Sequence, residues 1–173
     1  MKNMTGTQKM KFDVGDSIIY PGYGVGQVLE LQERVLDNSA KTFLVLSFKE
    51  AENESKVMIP LANVQGVGLR PPSPRKEVKR SMDFLAEGAP DILPSWKDRF
   101  NAHSALLAQG GLFSVAQVLK ALWILNRKKP LSFREKKMYQ KALLLMSSEV
   151  ALVLGRKREA TELQILDLLS KVP

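Results

Sequence analysis

The residue pattern that most resembles a chemical motif is a run of alternating glycines, Gly22, Gly24 and Gly26. Phosphate-binding loops use such glycines, but they need a helix N-terminus directly afterwards so that backbone amides face the phosphate. Here a strand-like segment follows, and no Gly-Lys-Ser/Thr is present. We therefore interpret the glycines as a tight structural turn.

Catalytic and metal-binding groups are scarce in this sequence. There is no cysteine and one histidine, His103, which excludes thiol chemistry, disulfides, zinc sites and most general-base arrangements. His103 falls on or beside the packed face of its predicted helix. Glu87, Asp91 and Asp98 are interpreted as solvated surface carboxylates, because nothing in their setting would separate their pKa values. We predict that the protein is not an enzyme and has no metal or cofactor.

The composition is that of a folded protein with an uneven charge. The 173 residues are 45% hydrophobic, enough for one core or two small ones. No apolar run approaches the roughly 20 residues of a membrane span, and residues 1–11 are polar, so we expect a cytoplasmic protein without membrane contact. The net charge is +8, and residues 1–70 hold eight basic and eight acidic residues. The whole positive excess therefore follows residue 70, which predicts that only the second half meets a polyanion.

The first half has the pattern of a small antiparallel barrel or sandwich. Short apolar runs between Phe12 and Arg70 are broken by turn residues, and Asp37-Asn38-Ser39 has the composition of a hairpin loop. Strands are predicted at 17–20, 27–34, 42–48 and 56–60, and residues 64–69 could close the sheet.

The second half has helical periodicity. The prolines around Ser73 predict a stiff linker, with Ser73 as the N-cap of the first helix. Ser132 and Glu135 predict a capping box. Helices are predicted at 74–87, 95–109, 114–129, 132–154 and 159–172. The fold class is α+β, with a flexible N-terminal extension (1–11), a β domain (12–70), a linker (71–74) and a helical domain of about five helices (75–173).

Two tryptophans and a group of basic residues are the candidate functional residues of the helical half. Periodicity favours the core for Trp96, although an exposed tryptophan at a helix end could also insert between base steps of DNA. Trp123, in mid-helix, is predicted to lie in the core. Arg134, Lys137 and Lys141 share one helix face, with Lys136 and the basic run 127–129 close in sequence. Such a face is either simply solvated or binds a polyanion.

Seven motifs, four in the β domain and three in the helical domain, occur in a fixed order: Phe12-x-Val14-Gly15-Asp16, Tyr20-Pro21-Gly22-x-Gly24-Val25-Gly26, Val57-Met58-Ile59-Pro60, Val67-Gly68-Leu69-Arg70, Trp96-x-x-Arg99-Phe100, Val115-Ala116-x-Val118 and Leu131-Ser132-x-x-Glu135-Lys136. In residue type, order and spacing they resemble the signatures of the CarD/CdnL family of bacterial transcription regulators. The N-terminal module of that family also occurs in transcription-repair coupling factors. The resemblance covers nearly the whole chain.

The resemblance implies a Tudor-like or SH3-like barrel that docks on the RNA polymerase β subunit through Arg34, Met58 and Pro60. It further implies a helical domain that reaches promoter DNA at the upstream edge of the transcription bubble and stabilises the open complex, with Trp96 as a wedge. The implied DNA-binding residues are Trp96, Lys97, Arg99, Arg134, Lys136, Lys137 and Lys141. Asp98 and Asn101 stand where relatives are often basic, which predicts weaker DNA affinity.

No base-edge reader is evident, so recognition by DNA shape is expected, and the protein is expected to act as a monomer associated with the nucleoid through polymerase. An alternative remains open on the sequence. A general nucleic-acid or ribosome-associated module with an SH3-like barrel would bind nucleic acid without polymerase.

Overall fold

The computed structural model describes residues 12–50, apart from the side chain of Glu50, and residues 53–171. The expected extension, residues 1–11, lies outside this part of the chain. The described residues form four strands and five α-helices: β1 Ser17–Tyr20, β2 Gly24–Leu36, β3 Ser39–Glu50, β4 Asn53–Pro60, α1 Arg75–Glu87, α2 Trp96–Gln109, α3 Leu112–Lys128, α4 Phe133–Leu154 and α5 Arg158–Ser170. The predicted fold class, a Tudor-like β half followed by a helical half, is confirmed.

The four strands form one curled antiparallel sheet in the order β1-β2-β3-β4. Its concave face carries the alternating apolar residues of the strands, among them Ile18, Leu44 and Leu46, which are fully buried. The glycine run makes the turn between β1 and β2, with Gly22 and Gly24 at φ of 82° and 88°, so the structural interpretation of these glycines is confirmed.

The prediction that residues 64–69 form a closing strand is wrong. This segment is a series of tight turns, in which the amide of Val67 donates to the carbonyl of Asn63 and the amide of Gly68 to that of Gln65. Only Arg70 reaches the sheet, where it forms an isolated bridge with Ile19. The sheet is therefore a half-barrel, with β1 and β4 at its edges.

The helix boundaries follow local capping rules. Ser132 and Glu135 form the predicted capping box of α4, and Ser95 caps α2 through the amide of Asp98. The prediction of Ser73 as the N-cap of α1 is wrong: Pro74 occupies that position without a side-chain hydrogen bond. Ser73 is buried, and its hydroxyl donates to a carboxylate of α4 instead.

Helix α3 lies at the centre of the helical half, where it contacts α1, α2 and α4. Eight of its residues are buried, including Val118, Leu119 and Leu122, which join a cluster separate from that of the sheet. Trp123 packs against this cluster, as predicted. Helix α4 contacts both α3 and the strand β2, so it joins the two halves of the fold.

Candidate nucleic-acid interface and protein-docking face

Trp96 is the first residue of α2 and stands at the surface of the helical half. Its ring stacks on that of Phe100, with centroids 5.7 Å apart and an interplanar angle of 22°. The tryptophan nevertheless remains 43% exposed, so the core position favoured by periodicity is wrong. One ring face is supported by Phe100, which limits how the tryptophan can turn, and its exposed part is free to contact a partner.

Arg99, one turn after Trp96, is held inside the protein. Its Nε and Nη2 donate to Oε1 of Glu135 at 3.3 and 3.0 Å, and its Nη1 donates to the carbonyl of Leu93 at 2.8 Å. The arginine side chain is only 12% exposed. These contacts occupy the guanidinium that the family resemblance assigned to DNA, so in this structure Arg99 positions α2 instead of facing solvent.

Glu135 joins the N-termini of α2 and α4. While Oε1 accepts from Arg99, Oε2 accepts from the amide and the hydroxyl of Ser132 at 3.0 and 2.8 Å. Burial would raise the pKa of Glu135, but the hydrogen bonds from Ser132 and Arg99 outweigh it and lower the pKa. The carboxylate therefore stays ionised, and it holds Trp96 and the first turn of α4 on the same end of the helical half.

The first turns of α4 form a basic surface. Arg134, Lys136 and Lys137 are exposed and Lys141 is half-buried. The two carboxylates of α4, Glu135 and Glu149, are both buried and both paired with arginines. The solvent-facing side of α4 therefore has four cations and no carboxylate, an arrangement suited to phosphates. We call these four residues the α4 basic face.

Lys97 extends this positive surface to α2. Its side chain is exposed. The neighbouring Asp98 and Asn101 are also exposed, and a carboxylate at position 98 lowers the local positive potential. Trp96, Lys97 and the α4 basic face therefore lie at one end of the helical half, where Arg99 and Glu135 connect α2 with α4. Arg99 itself is not one of the exposed cations.

Phe133 was missed by sequence reasoning. It is the first residue of α4 and is 71% exposed, with the Nζ of Lys137 at 4.6 Å from its ring centroid. The capping box at Ser132 was a usable signal, because it identifies Phe133 as the first residue of the helix. Its position brings a second aromatic ring to the α4 basic face.

Arg34, Met58 and Pro60 share the convex face of the sheet. Met58 pairs with Val45 and Pro60 with Phe43, whereas the buried Ile59 between them belongs to the concave face. On the other side of β3, Phe43 pairs with Gln32, and Arg34 lies two residues further along the same face of β2. From the spacing of strands and residues, Arg34 and Pro60 are about 12 Å apart at their Cα atoms.

This convex face combines an exposed cation with adaptable apolar groups on an edge strand. Arg34 is exposed, with Nε donating to Oε1 of Gln32 at 3.2 Å, while Met58 and Pro60 are half-buried. Because β4 is an edge strand, one side of its backbone has no neighbouring strand within the described sheet. Edge strands and thioether side chains both suit docking to another protein.

His103 lies in the packed part of α2, as predicted, and is 5% exposed. Burial and the positive charge of Arg99 lower its pKa, so the imidazole is neutral near pH 7. Among residues 12–50 and 53–171 there is no group of three or more His, Cys, Asp or Glu side chains that could hold a metal ion. Within the same residues, no helix combines the length and the apolar character needed to cross a membrane.

Two protein-family models match the chain. The model described as "CarD, C-terminal domain" matches residues 80–167, and that described as "CarD-like/TRCF RID domain" matches residues 12–72. The chain belongs to the CarD/CdnL family. The two CarD matches cover both the convex face of the sheet and the end of the helical half that carries Trp96.

A curated relative of this CarD/CdnL protein is "Putative transcription factor YdeB" of Bacillus subtilis (strain 168). The two are 27% identical over 144 residues, which cover 83% of this chain and 93% of that protein. The match therefore spans both halves of the fold. Membership of the CarD/CdnL family supports a role in transcription regulation.

Proposed function

We propose that this protein regulates transcription by binding the RNA polymerase β subunit through its sheet and promoter DNA through its helices, which stabilises the open complex. DNA would be engaged at the upstream edge of the bubble, where Trp96 inserts beside the duplex and the cations neutralise phosphates. The observation that carries the proposal is the half-exposed ring of Trp96, supported by Phe100 and joined to the α4 basic face through Arg99 and Glu135.

The polymerase contact is supported by the arrangement of Arg34, Met58 and Pro60 on one face of the sheet. A guanidinium can donate to a carboxylate or carbonyl of the partner, and Met58 adapts its shape to an apolar surface. The family model that matches residues 12–72 is shared with transcription-repair coupling factors, whose module is associated with polymerase binding.

Binding to polymerase through the sheet would allow a small DNA-binding surface on the helical half to be effective. Binding to polymerase raises the effective concentration of the helical half at the promoter, so a weak contact becomes sufficient. Trp96 and the lysines contact backbone and stacked bases and offer no paired donors to base edges, so location and DNA shape would set specificity. Closing the bubble would break these contacts, and the open state is thereby favoured.

The decisive experiment measures open-complex lifetime on one promoter with the cognate polymerase. Wild-type protein should lengthen the lifetime, and both Trp96→Ala and Arg34→Ala should lose most of that effect. Two matched controls alter exposed residues elsewhere: Leu163→Ala on α5 for the tryptophan and Arg75→Ala on α1 for the arginine. Both controls should behave as wild type.

The alternative, a general nucleic-acid module, makes a different prediction. Such a protein would bind DNA with the same affinity in the presence and absence of polymerase, and Arg34→Ala would change nothing. Wild-type protein that binds bare DNA, leaves the open-complex lifetime unchanged and fails to co-purify with the β subunit would overturn the proposal in favour of this alternative.

A further inference from the structure

Phe133 is a large apolar side chain placed in water at the N-terminus of α4. It is 71% exposed, and its described ring contact is the ammonium of Lys137, 4.6 Å from the centroid. Isolated exposed apolar residues are common on protein surfaces, so exposure alone carries no function. The surroundings of the ring decide what it can bind.

These surroundings are cationic. Arg134 follows Phe133 directly, and Lys136 and Lys137 complete the turn, all three exposed. The carboxylate of Glu135, which interrupts this run in sequence, is buried beneath it and neutralised by Arg99. A polyanion that also offers flat apolar faces complements such a surface, and single-stranded nucleic acid has both properties. An apolar protein partner would leave the three cations unpaired.

The ring is also placed with respect to Trp96. Arg99 lies one turn after Trp96 in α2, and Glu135 lies two residues after Phe133 in α4. The ion pair between Arg99 and Glu135, 3.0 Å long and almost buried, therefore fixes the two helix ends that carry the exposed rings. Both exposed rings therefore lie within one helical turn of a residue of this ion pair, with Lys97 next to Trp96 in sequence and the α4 basic face around Phe133.

We propose that Phe133 is a second aromatic DNA contact, which stacks on an unpaired base of the strand that leaves the duplex at the junction. Lys137 covers one side of the ring and supplies a charge for the adjacent phosphate, while the other side receives the base. The inference rests on the proposed function, because it assumes that Trp96 meets the duplex beside the junction. It adds recognition of single-stranded DNA, which the tryptophan alone does not supply.

The test compares two DNA probes at low salt, without polymerase, using the full-length protein. One probe is a plain duplex, and the other has the same duplex with an unpaired arm that carries 2-aminopurine as a fluorescent reporter of stacking. Phe133→Ala should lower the affinity for the forked probe by at least about five-fold, the lower end of what a lost base–aromatic stack costs. It should change the affinity for the duplex less than two-fold.

Further variants distinguish base stacking from plain apolar contact and from misfolding. Phe133→Trp should retain fork binding and quench the 2-aminopurine, whereas Phe133→Leu keeps apolar surface without a π face and should bind the fork nearly as weakly as Phe133→Ala. Leu163→Ala, which removes a side chain of similar exposure (69%) from α5, should bind both probes as wild type does. Equal thermal unfolding midpoints would show that each variant is folded.

The possible failures can be told apart. If Phe133→Ala binds the fork as wild type does while Trp96→Ala binds it more weakly, the stacking role is overturned and the proposed function survives. If Phe133→Ala weakens both probes equally, Phe133 contacts duplex and the inference fails. If wild type shows no preference for the fork and Trp96→Ala has no effect, both proposals fail.

Discussion

Arg70 and Glu149 are 79 positions apart in sequence, yet the guanidinium of one donates two hydrogen bonds, of 2.7 and 2.8 Å, to the carboxylate of the other. The backbone of Arg70 pairs with Ile19 at the edge of the sheet, and its side chain also donates to the carbonyl of Gly110 at the end of α2. The carboxylate of Glu149 additionally accepts from the amide and the hydroxyl of Ser73. The pair of Arg70 and Glu149 therefore connects the edge of the sheet, the predicted linker, the end of α2 and α4.

Replacing Glu149 with alanine should destabilise the fold by about 2–4 kcal/mol. The change leaves the Arg70 charge and the Ser73 amide without their acceptor at a site where the glutamate was 4% exposed. Urea unfolding measures the loss. Asp167→Ala is the matched control, because it removes an acid from an exposed ion pair with Lys171 and should leave the free energy of unfolding unchanged. Equal effects of the two variants would contradict the role assigned to Glu149.

Substitutions of Arg99 and Lys97 should distinguish a residue that stabilises the fold from one that binds DNA. Arg99→Ala leaves the nearly buried carboxylate of Glu135 without its ion-pair partner. This change should lower the free energy of unfolding by about 2–4 kcal/mol. Lys97→Ala should leave stability unchanged but should reduce the slope of log affinity for DNA against log salt by about one, the contribution of one phosphate contact. The measurements are urea unfolding and DNA titrations at several salt concentrations.

A stable Arg99→Ala variant with a reduced salt slope would reverse this assignment and would restore the phosphate contact that the family resemblance implies. Arg99→Lys provides a further check, because it preserves the charge but loses the planar geometry that reaches both Glu135 and the carbonyl of Leu93. This variant should be less stable than wild type, although its net charge is the same.

Local signals correctly predicted the start of α4 and the turn between β1 and β2. The capping box of Ser132 and Glu135 and the glycine run after Tyr20 depend on neighbouring residues, so the sequence contains all the information required. The segment 64–69 misled the prediction because its apolar residues suit a strand, while Gly68 at φ 73° and local hydrogen bonds turn the chain instead.

Long-range pairings could not be predicted from the sequence. Lys120 is 1% exposed and donates to the carbonyl of Phe84, near the end of α1, at 2.9 Å. Its position among apolar residues of α3 does not indicate in the sequence which group would accept this hydrogen bond. Glu149 and Arg99 present the same problem. A charged residue on a helix is usually solvated, and only the packing of distant elements determines which of them are buried and paired.

His103 should make the stability of the protein depend on pH. Burial and the nearby charge of Arg99 lower its pKa, with Glu135 acting in the opposite direction, so the unfolded chain takes up a proton more readily than the folded one. The stabilisation is complete above the ordinary value of 6.5 and is lost as the pH falls from there towards the lowered pKa. Urea unfolding at pH 7.5, 6.5 and 5.5 should show a steeper loss for wild type than for His103→Gln. Parallel curves would show that His103 titrates alike in both states.

Gly26 gives the glycine run a structural role that can be tested. A Cβ at this position would lie 2.6 Å from a ring carbon of Phe48 and 2.9 Å from the carbonyl oxygen of Ser47, which as backbone cannot move aside. Gly26→Ala should therefore destabilise the fold by about 1–3 kcal/mol. Gly66→Ala is the control, since its added Cβ would meet nothing closer than 3.5 Å and should cost little. Urea unfolding measures both variants, and a Gly26→Ala protein as stable as Gly66→Ala would contradict the close packing of Gly26 against Phe48 and Ser47.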